Sequence, residues 1–118
     1  MNWHFNNNAP IYNQLVEKIE HMIITGEYKL GEKLPSVRDF AILAKVSPNT
    51  IQRALDELEG MGLIYTKRTS GKYVMDDEDY LKKKKDEIID HKLEKFVLDI
   101  KEYNLSTADI IKKIKEMK

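Results

Sequence analysis

The 118-residue sequence contains no cysteine, only three prolines and five glycines, and a single tryptophan. Without a thiol there is no disulfide framework, no thiolate metal site and no cysteine nucleophile, which agrees with a reducing cytoplasm. So few prolines and glycines exclude collagen-like and low-complexity linker chains. No apolar run approaches the ~20 residues needed to cross a bilayer, and "MNWHFNNNAP" lacks the basic and apolar regions of a secretory signal. The expectation is a cytoplasmic protein with no membrane partner. Net charge is missing too, because 20 basic and 20 acidic residues cancel. Catalytic signatures are equally scarce. His4, His21 and His91 lie far apart without carboxylates at metal-ligand spacing, and there is no phosphate loop, nucleophile–base pair or paired-carboxylate motif. Neither an enzyme nor a metal or other cofactor is expected.

What is present is helical periodicity. Ile11, Leu15, Ile19, Met22 and Ile23 recur at helical spacing behind Pro10, predicting a helix from about Pro10 to Thr25 that Gly26 ends. "GEYKLGEKLP" reads as a loop, since Gly26, Gly31 and Pro35 interrupt any period. Ser36 fits an N-cap with Asp39 three residues on, and Phe40, Ala41, Leu43 and Ala44 supply an inward face. The apolar stripe then breaks off at Lys45-Val46. Ser47 repeats the start signal, and Pro48 takes the first helical position, where its missing N–H costs nothing. Ile51, Ala54, Leu55 and Leu58 form the buried stripe of a third helix, which Gly60 or Gly62 can end. Two helices parted by three to four residues describe a helix-turn-helix. "LIYTK" and "KYVM" flank Arg68-Thr69-Ser70-Gly71 and read as a two-stranded hairpin. Between Ile64 and Met75 the bases Lys67, Arg68 and Lys72 meet no acid, so positive charge gathers there despite the neutral sum. Trp3 and Phe5 read as cover for a hydrophobic surface.

The fold class expected is mainly α: a winged helix-turn-helix of three helices plus a hairpin over residues 1–75, then a two-helix tail over 76–118. In the tail Leu81, Ile88, Ile89, Leu93, Phe96, Val97 and Ile100 share one long helical face, Tyr103-Asn104 closes that helix, and Ser106 with Asp109 caps a last one. Ile110, Ile111, Ile114 and Met117 share its apolar face. "LKKKKDEIIDHK" reads as a solvated helix face, because Asp76 to Asp79, Asp86 and Glu87 blunt its field.

A helix-turn-helix places the amino end of its second helix in the major groove of a duplex. Small side chains at Ser47, Pro48, Asn49 and Thr50 allow close approach, and first-turn N–H groups at the positive end of the helix dipole favour a phosphate oxygen. One turn on, Gln52 is suited to adenine and Arg53 to guanine or a phosphate. Arg38, on the outer face of the preceding helix, and the hairpin residues Lys67, Arg68, Thr69, Ser70, Gly71 and Lys72 complete the expected DNA-facing set. Two amphipathic tail helices are expected to bury their faces in a homodimer through Phe96, Val97, Ile100, Ile110, Ile111 and Ile114. The alternative is a tail folded back on the first helix.

"GEKLPSVRDFAILAKVSPNTIQRALDELEGMGLIYTKRTSGKYV", Gly31 to Val74, resembles the winged-helix domain of GntR-type bacterial transcription regulators. The resemblance rests on Leu34-Pro35-Ser36, Arg38, Phe40-Ala41, Val46-Ser47, Thr50-Ile51, Arg53-Ala54-Leu55, Leu58 and Gly62-Leu63-Ile64. The short helical tail resembles the YtrA-type branch. What the resemblance implies is an operator-binding homodimer, usually a repressor, reading a palindrome through Arg38, Ser47, Asn49, Thr50, Arg53 and Gly71. It also suggests a small-molecule effector, without naming one. Thr69 departs from the family's frequent Gly-x-Gly wing, and Pro48 and Gln52 stand where some members carry arginine. The competing reading is a winged-helix protein-interaction module that does not bind DNA, for which the neutral net charge is the argument.

Overall fold

The computed structural model describes residues 3–6 and 10–117. In chain order it contains α1 (Ile11–Ile24), α2 (Val37–Ala44), α3 (Pro48–Gly60), β1 (Ile64–Lys67), β2 (Gly71–Val74), α4 (Glu78–Lys101) and α5 (Thr107–Glu116). Two compact units divide the chain, one ending at Leu81 and the other starting at Lys82.

The first unit is a winged helix. In α1 the buried residues Leu15, Val16, Ile19, Met22 and Ile23 follow the expected stripe, with Pro10 just outside the helix as its N-cap. Ser36 Oγ accepts the Asp39 N–H at 3.1 Å and so starts α2. Phe40, Ala41 and Ala44 face inward from that helix. Leu43 does not: it is 50% exposed. A face centred between Phe40 and Ala41 leaves Leu43 roughly 110° away at 3.6 residues per turn. Helix α2 stops where Lys45 turns left-handed at φ 57°. Lys45, Val46 and Ser47 make the turn. Ser47 then accepts the Thr50 N–H at 3.2 Å, with Pro48 in the first turn of α3.

Ile51, Ala54, Leu55 and Leu58 of α3 close on α1 and α2, burying a core with Leu15, Ile19, Phe40, Leu63, Ile64 and Val74. Each fully buried side chain of this size contributes about 1.5–3 kcal/mol. Trp3 and Phe5 pack against that core, Trp3 edge-on to Phe40 with ring centroids 6.1 Å apart.

The hairpin pairs Ile64 with Val74, Tyr65 with Tyr73, Thr66 with Lys72 and Lys67 with Gly71. The segment read as plain loop does more than connect. Gly31 N–H donates to Val74 O at 3.1 Å, Val74 N–H to Glu32 O at 2.9 Å and Leu34 N–H to Lys72 O at 2.8 Å. It therefore covers the outer edge of β2, an edge that would otherwise present unpaired backbone groups. Too few residues pair for an alternating sequence pattern to register. After α3 the chain reverses at Gly62, φ 79°, where an added Cβ would run into the Tyr80 hydroxyl. That hydroxyl donates to Met61 O at 2.9 Å, and Leu81 packs on the core, so the first turn of α4 belongs to this unit.

In the second unit Asn104 is left-handed, φ 64°, as expected after a helix. Ser106 and Asp109 form a reciprocal capping box at the start of α5. The Ser106 backbone N–H, then its side chain, holds the Asp109 carboxyl below its ordinary range. Ile110, 4% exposed, is the only buried side chain of α4 and α5 among the described residues. No helix among the described residues is long and apolar enough to cross a membrane.

Candidate nucleic-acid interface

The amino end of α3 is open. Ser47, Pro48 and Asn49 are exposed and Thr50 is half-buried. The Ser47 oxygen takes both the Thr50 N–H, at 3.2 Å, and a hydrogen bond with the Thr50 hydroxyl, at 2.8 Å. Pro48 has no N–H, and the Asn49 N–H lies too early in the helix for an intrahelical acceptor. The tip thus offers one backbone donor, an amide side chain and the positive end of a 13-residue helix. Nothing bulky shields them.

Further along the same helix Gln52 and Arg53 are both exposed. Gln52 Nε2 donates to Asp56 Oδ1 at 2.8 Å, so this amide is held by its own helix. Arg53 lies over the ring of Tyr12, its guanidinium carbon 4.4 Å from the centroid. Tyr12 in turn donates its hydroxyl to Glu57 Oε2 at 2.7 Å. That hydrogen bond, more than burial, raises the Tyr12 pKa above 10.0. Nothing in the sequence reading selected Tyr12 or Glu57. Glu57 stands four residues after Arg53, which is a visible signal, but the tyrosine comes from another helix.

Arg38 is exposed on α2. In the wing Lys67, Arg68, Thr69 and Ser70 are exposed, while Gly71 and Lys72 are half-buried. Lys67 Nζ lies 4.3 Å from the Tyr73 ring centroid, and Tyr73 stacks on Tyr65 with centroids 5.8 Å apart. The Ser70 and Tyr73 hydroxyls share a hydrogen bond across the turn. Gly71 has φ 127°, open to glycine and strained for other residues, so the second glycine of the wing pattern meets a backbone need. Lys72 is committed inside the protein: its Nζ lies 2.9 Å from both Glu59 Oε1 and Thr66 Oγ1. Lys72 first, then Thr66, holds the Glu59 carboxyl below its ordinary range. This cluster ties the wing to the end of α3. A hollow of about 300 Å³ lies between the wing and the start of α2, lined among others by Lys33, Ser36, Leu55, Ser70 and Lys72.

One unit thus assembles the helix tip, the outer face of α3 and the wing. The six tail residues expected at a dimer interface all belong to the other unit. No cluster of His, Asp or Glu able to hold a metal occurs among the described residues.

Residues 11–74 match the family of bacterial regulatory proteins described as gntR. The "Uncharacterized HTH-type transcriptional regulator YhcF" of Bacillus subtilis is 37% identical over 111 residues, covering 94% of this chain and 92% of that protein. The "HTH-type transcriptional repressor YtrA" of the same organism is 41% identical over 66 residues, 56% of this chain and 51% of the repressor. Among solved structures, a GntR family regulator from Listeria monocytogenes superposes with TM-score 0.90 at 37% identity, over 97% of this chain and all of that one. The DNA-binding domain of AraR in complex with operator ORX1 gives TM-score 0.56 at 28% identity, over 60% of this chain and 92% of that domain. With the family match covering more than half the sequence, and a relative 37% identical over 94% of this chain and 92% of its own length, the chain belongs to the GntR family of DNA-binding transcriptional regulators.

Proposed function

We propose that this regulator is an operator-reading repressor acting as a homodimer on a palindrome. The observation that carries the reading is the bare tip of α3, where Ser47, Pro48 and Asn49 stand exposed ahead of Arg53. Ser47, Asn49 and Thr50 would meet the duplex at the helix end, Arg53 a base edge, and Arg38 with Lys67, Arg68 and Ser70 the backbone on either side. Gln52 would exchange Asp56 for a base, and Gly71 would let the wing backbone approach closely. Lys72 braces the wing, because Glu59 already holds its charge.

Dimerisation is supported by the apolar residues that the tail leaves exposed, Phe96 at 43% and Leu93 at 54% among them. Phe96, Val97, Ile100, Ile111 and Ile114 would meet the partner, with Ile110 beneath them as protomer core. Two copies of α3 set ~34 Å apart would then enter successive major grooves. Repression follows by analogy with the YtrA repressor. A small-molecule effector would act in the cleft between two tails, which are too short to form a ligand domain of their own.

The experiment is selection of bound duplexes from a random pool, followed by fluorescence anisotropy on the selected palindrome. Affinity should fall steeply with salt, and Arg53→Ala should cost ~1 to 3 kcal/mol on the palindrome and far less on random duplex. Equal affinity for palindrome and random duplex would overturn the operator reading, and absence of binding to either would favour the protein-interaction reading, for which the zero net charge is the supporting observation.

A further inference from the structure

Arg53 and Glu57 are four residues apart on α3, a spacing at which arginine and carboxylate ordinarily pair on a helix surface. Here both go to Tyr12 of α1. The guanidinium lies over the ring at 4.4 Å and the carboxylate takes the hydroxyl at 2.7 Å. The chemistry of the two contacts differs in a useful way. A guanidinium attracted to a ring face need spend no N–H donor on a carboxylate, whereas a carboxylate partner would consume two of them. The ring also fixes a long side chain that would otherwise lose rotamer freedom on meeting a partner.

We propose that Tyr12 is a positioning residue for DNA recognition: it holds Arg53 extended on its ring and holds Glu57 away from it, so the guanidinium donors stay available to the duplex. The proposal rests on the DNA-reading role of α3. The tyrosine itself touches no nucleic acid. Its effect should therefore exist only while Arg53 is present, and it should be specific to the selected operator.

Two measurements test this on the full chain. In the free protein, side-chain NMR of Arg53 should show upfield ring-current shifts that vanish in Tyr12→Leu and weaken in Tyr12→Phe. In anisotropy titrations on the selected operator, Tyr12→Leu should weaken binding about threefold to tenfold, the size expected of one exposed cation–π contact plus lost ordering. The same change in an Arg53→Ala background should have no further effect. Tyr12→Phe should lose about twofold to threefold, because the released Glu57 captures Arg53, and Glu57→Gln should restore it. Thermal melts identify a variant that has lost the fold, and Tyr12→Phe then serves in place of Tyr12→Leu. Absence of the ring-current shift in the wild-type chain overturns the proposal without any DNA present. Equal losses with and without Arg53 reduce Tyr12 to a prop for α3 and overturn it as well. A wild-type chain that selects no duplex overturns the DNA reading and this proposal together, whereas clear selection with zero Tyr12–Arg53 coupling overturns this proposal alone.

Discussion

The two units of the chain solve the same problem differently. The winged-helix unit buries Leu15, Ile19, Phe40, Ile51, Leu58, Leu63 and Val74 completely or nearly so among three helices and a hairpin. The tail unit has no buried residue along α4, and α5 adds Ile110 alone. The first unit brings together three amphipathic helices and a hairpin, whereas the tail offers the weakly amphipathic α4 and the short apolar stripe of α5. Three helices and a wing enclose a core. Two helices cannot, and apolar surface left in water forgoes about 25 cal/mol for every Å² that a partner would cover. The first unit encloses a core of its own, whereas the second leaves large apolar side chains such as Leu93 and Phe96 exposed, which is the ground of the proposed association.

Four variants break or sharpen this contrast. The largest effect is expected from Phe40→Ala, which leaves a cavity beside Trp3 and should cost about 3–5 kcal/mol. Because Trp3 touches Phe40 edge-on, tryptophan emission during denaturant unfolding reports it directly, with a lowered midpoint. Next comes Phe96→Asp combined with Ile114→Asp. Charges placed in the proposed dimer interface should yield monomers in sedimentation, with the winged-helix melt unchanged and operator affinity down at least tenfold, about 1.4 kcal/mol. A melt that falls in step with dissociation would show that the first unit depends on the second after all. Ser47→Ala removes the cap of α3 and should cost ~1 kcal/mol of stability in thermal melts.

The smallest effect concerns the wing brace. Glu59→Gln should release Lys72 and steepen the logarithmic salt dependence of DNA binding by about 0.9, one phosphate contact. The sign with pH is fixed by the lowered Glu59 pKa. Its pairing stabilises the fold above the ordinary carboxylate value of 4.5 and fades as pH falls through the lowered value. Wild type should lose wing protection in acid hydrogen exchange, and the Gln variant should show no such step.

Much of the site was legible because helix starts are local. Ser47 followed by Pro48, and Ser36 followed by Asp39, satisfy backbone donors within three residues, so each announces itself in sequence. The same holds for Asn104 and the Ser106–Asp109 box. The covered edge of β2 was hidden because Gly31 to Leu34 pair by backbone alone, a contact that leaves no side-chain pattern. Leu43 misled because a short helix has more than one plausible apolar face, and only the packed neighbours choose between them. Lys72 read as a free cation because Glu59, its partner, lies 13 residues away on another element. The ring beneath Arg53 was hidden for the same reason, since Tyr12 is 41 positions earlier.

By itself, the sequence determined the helix starts and stops, the hairpin and the family, because caps, glycine turns and apolar periods act over a few neighbouring residues. Only the tertiary structure decided which charges remain available. Lys72 is paired with Glu59 of α3, and Arg53 lies over the ring of Tyr12 from α1. Electrostatic availability depends on distance in space, and the folded chain sets those distances.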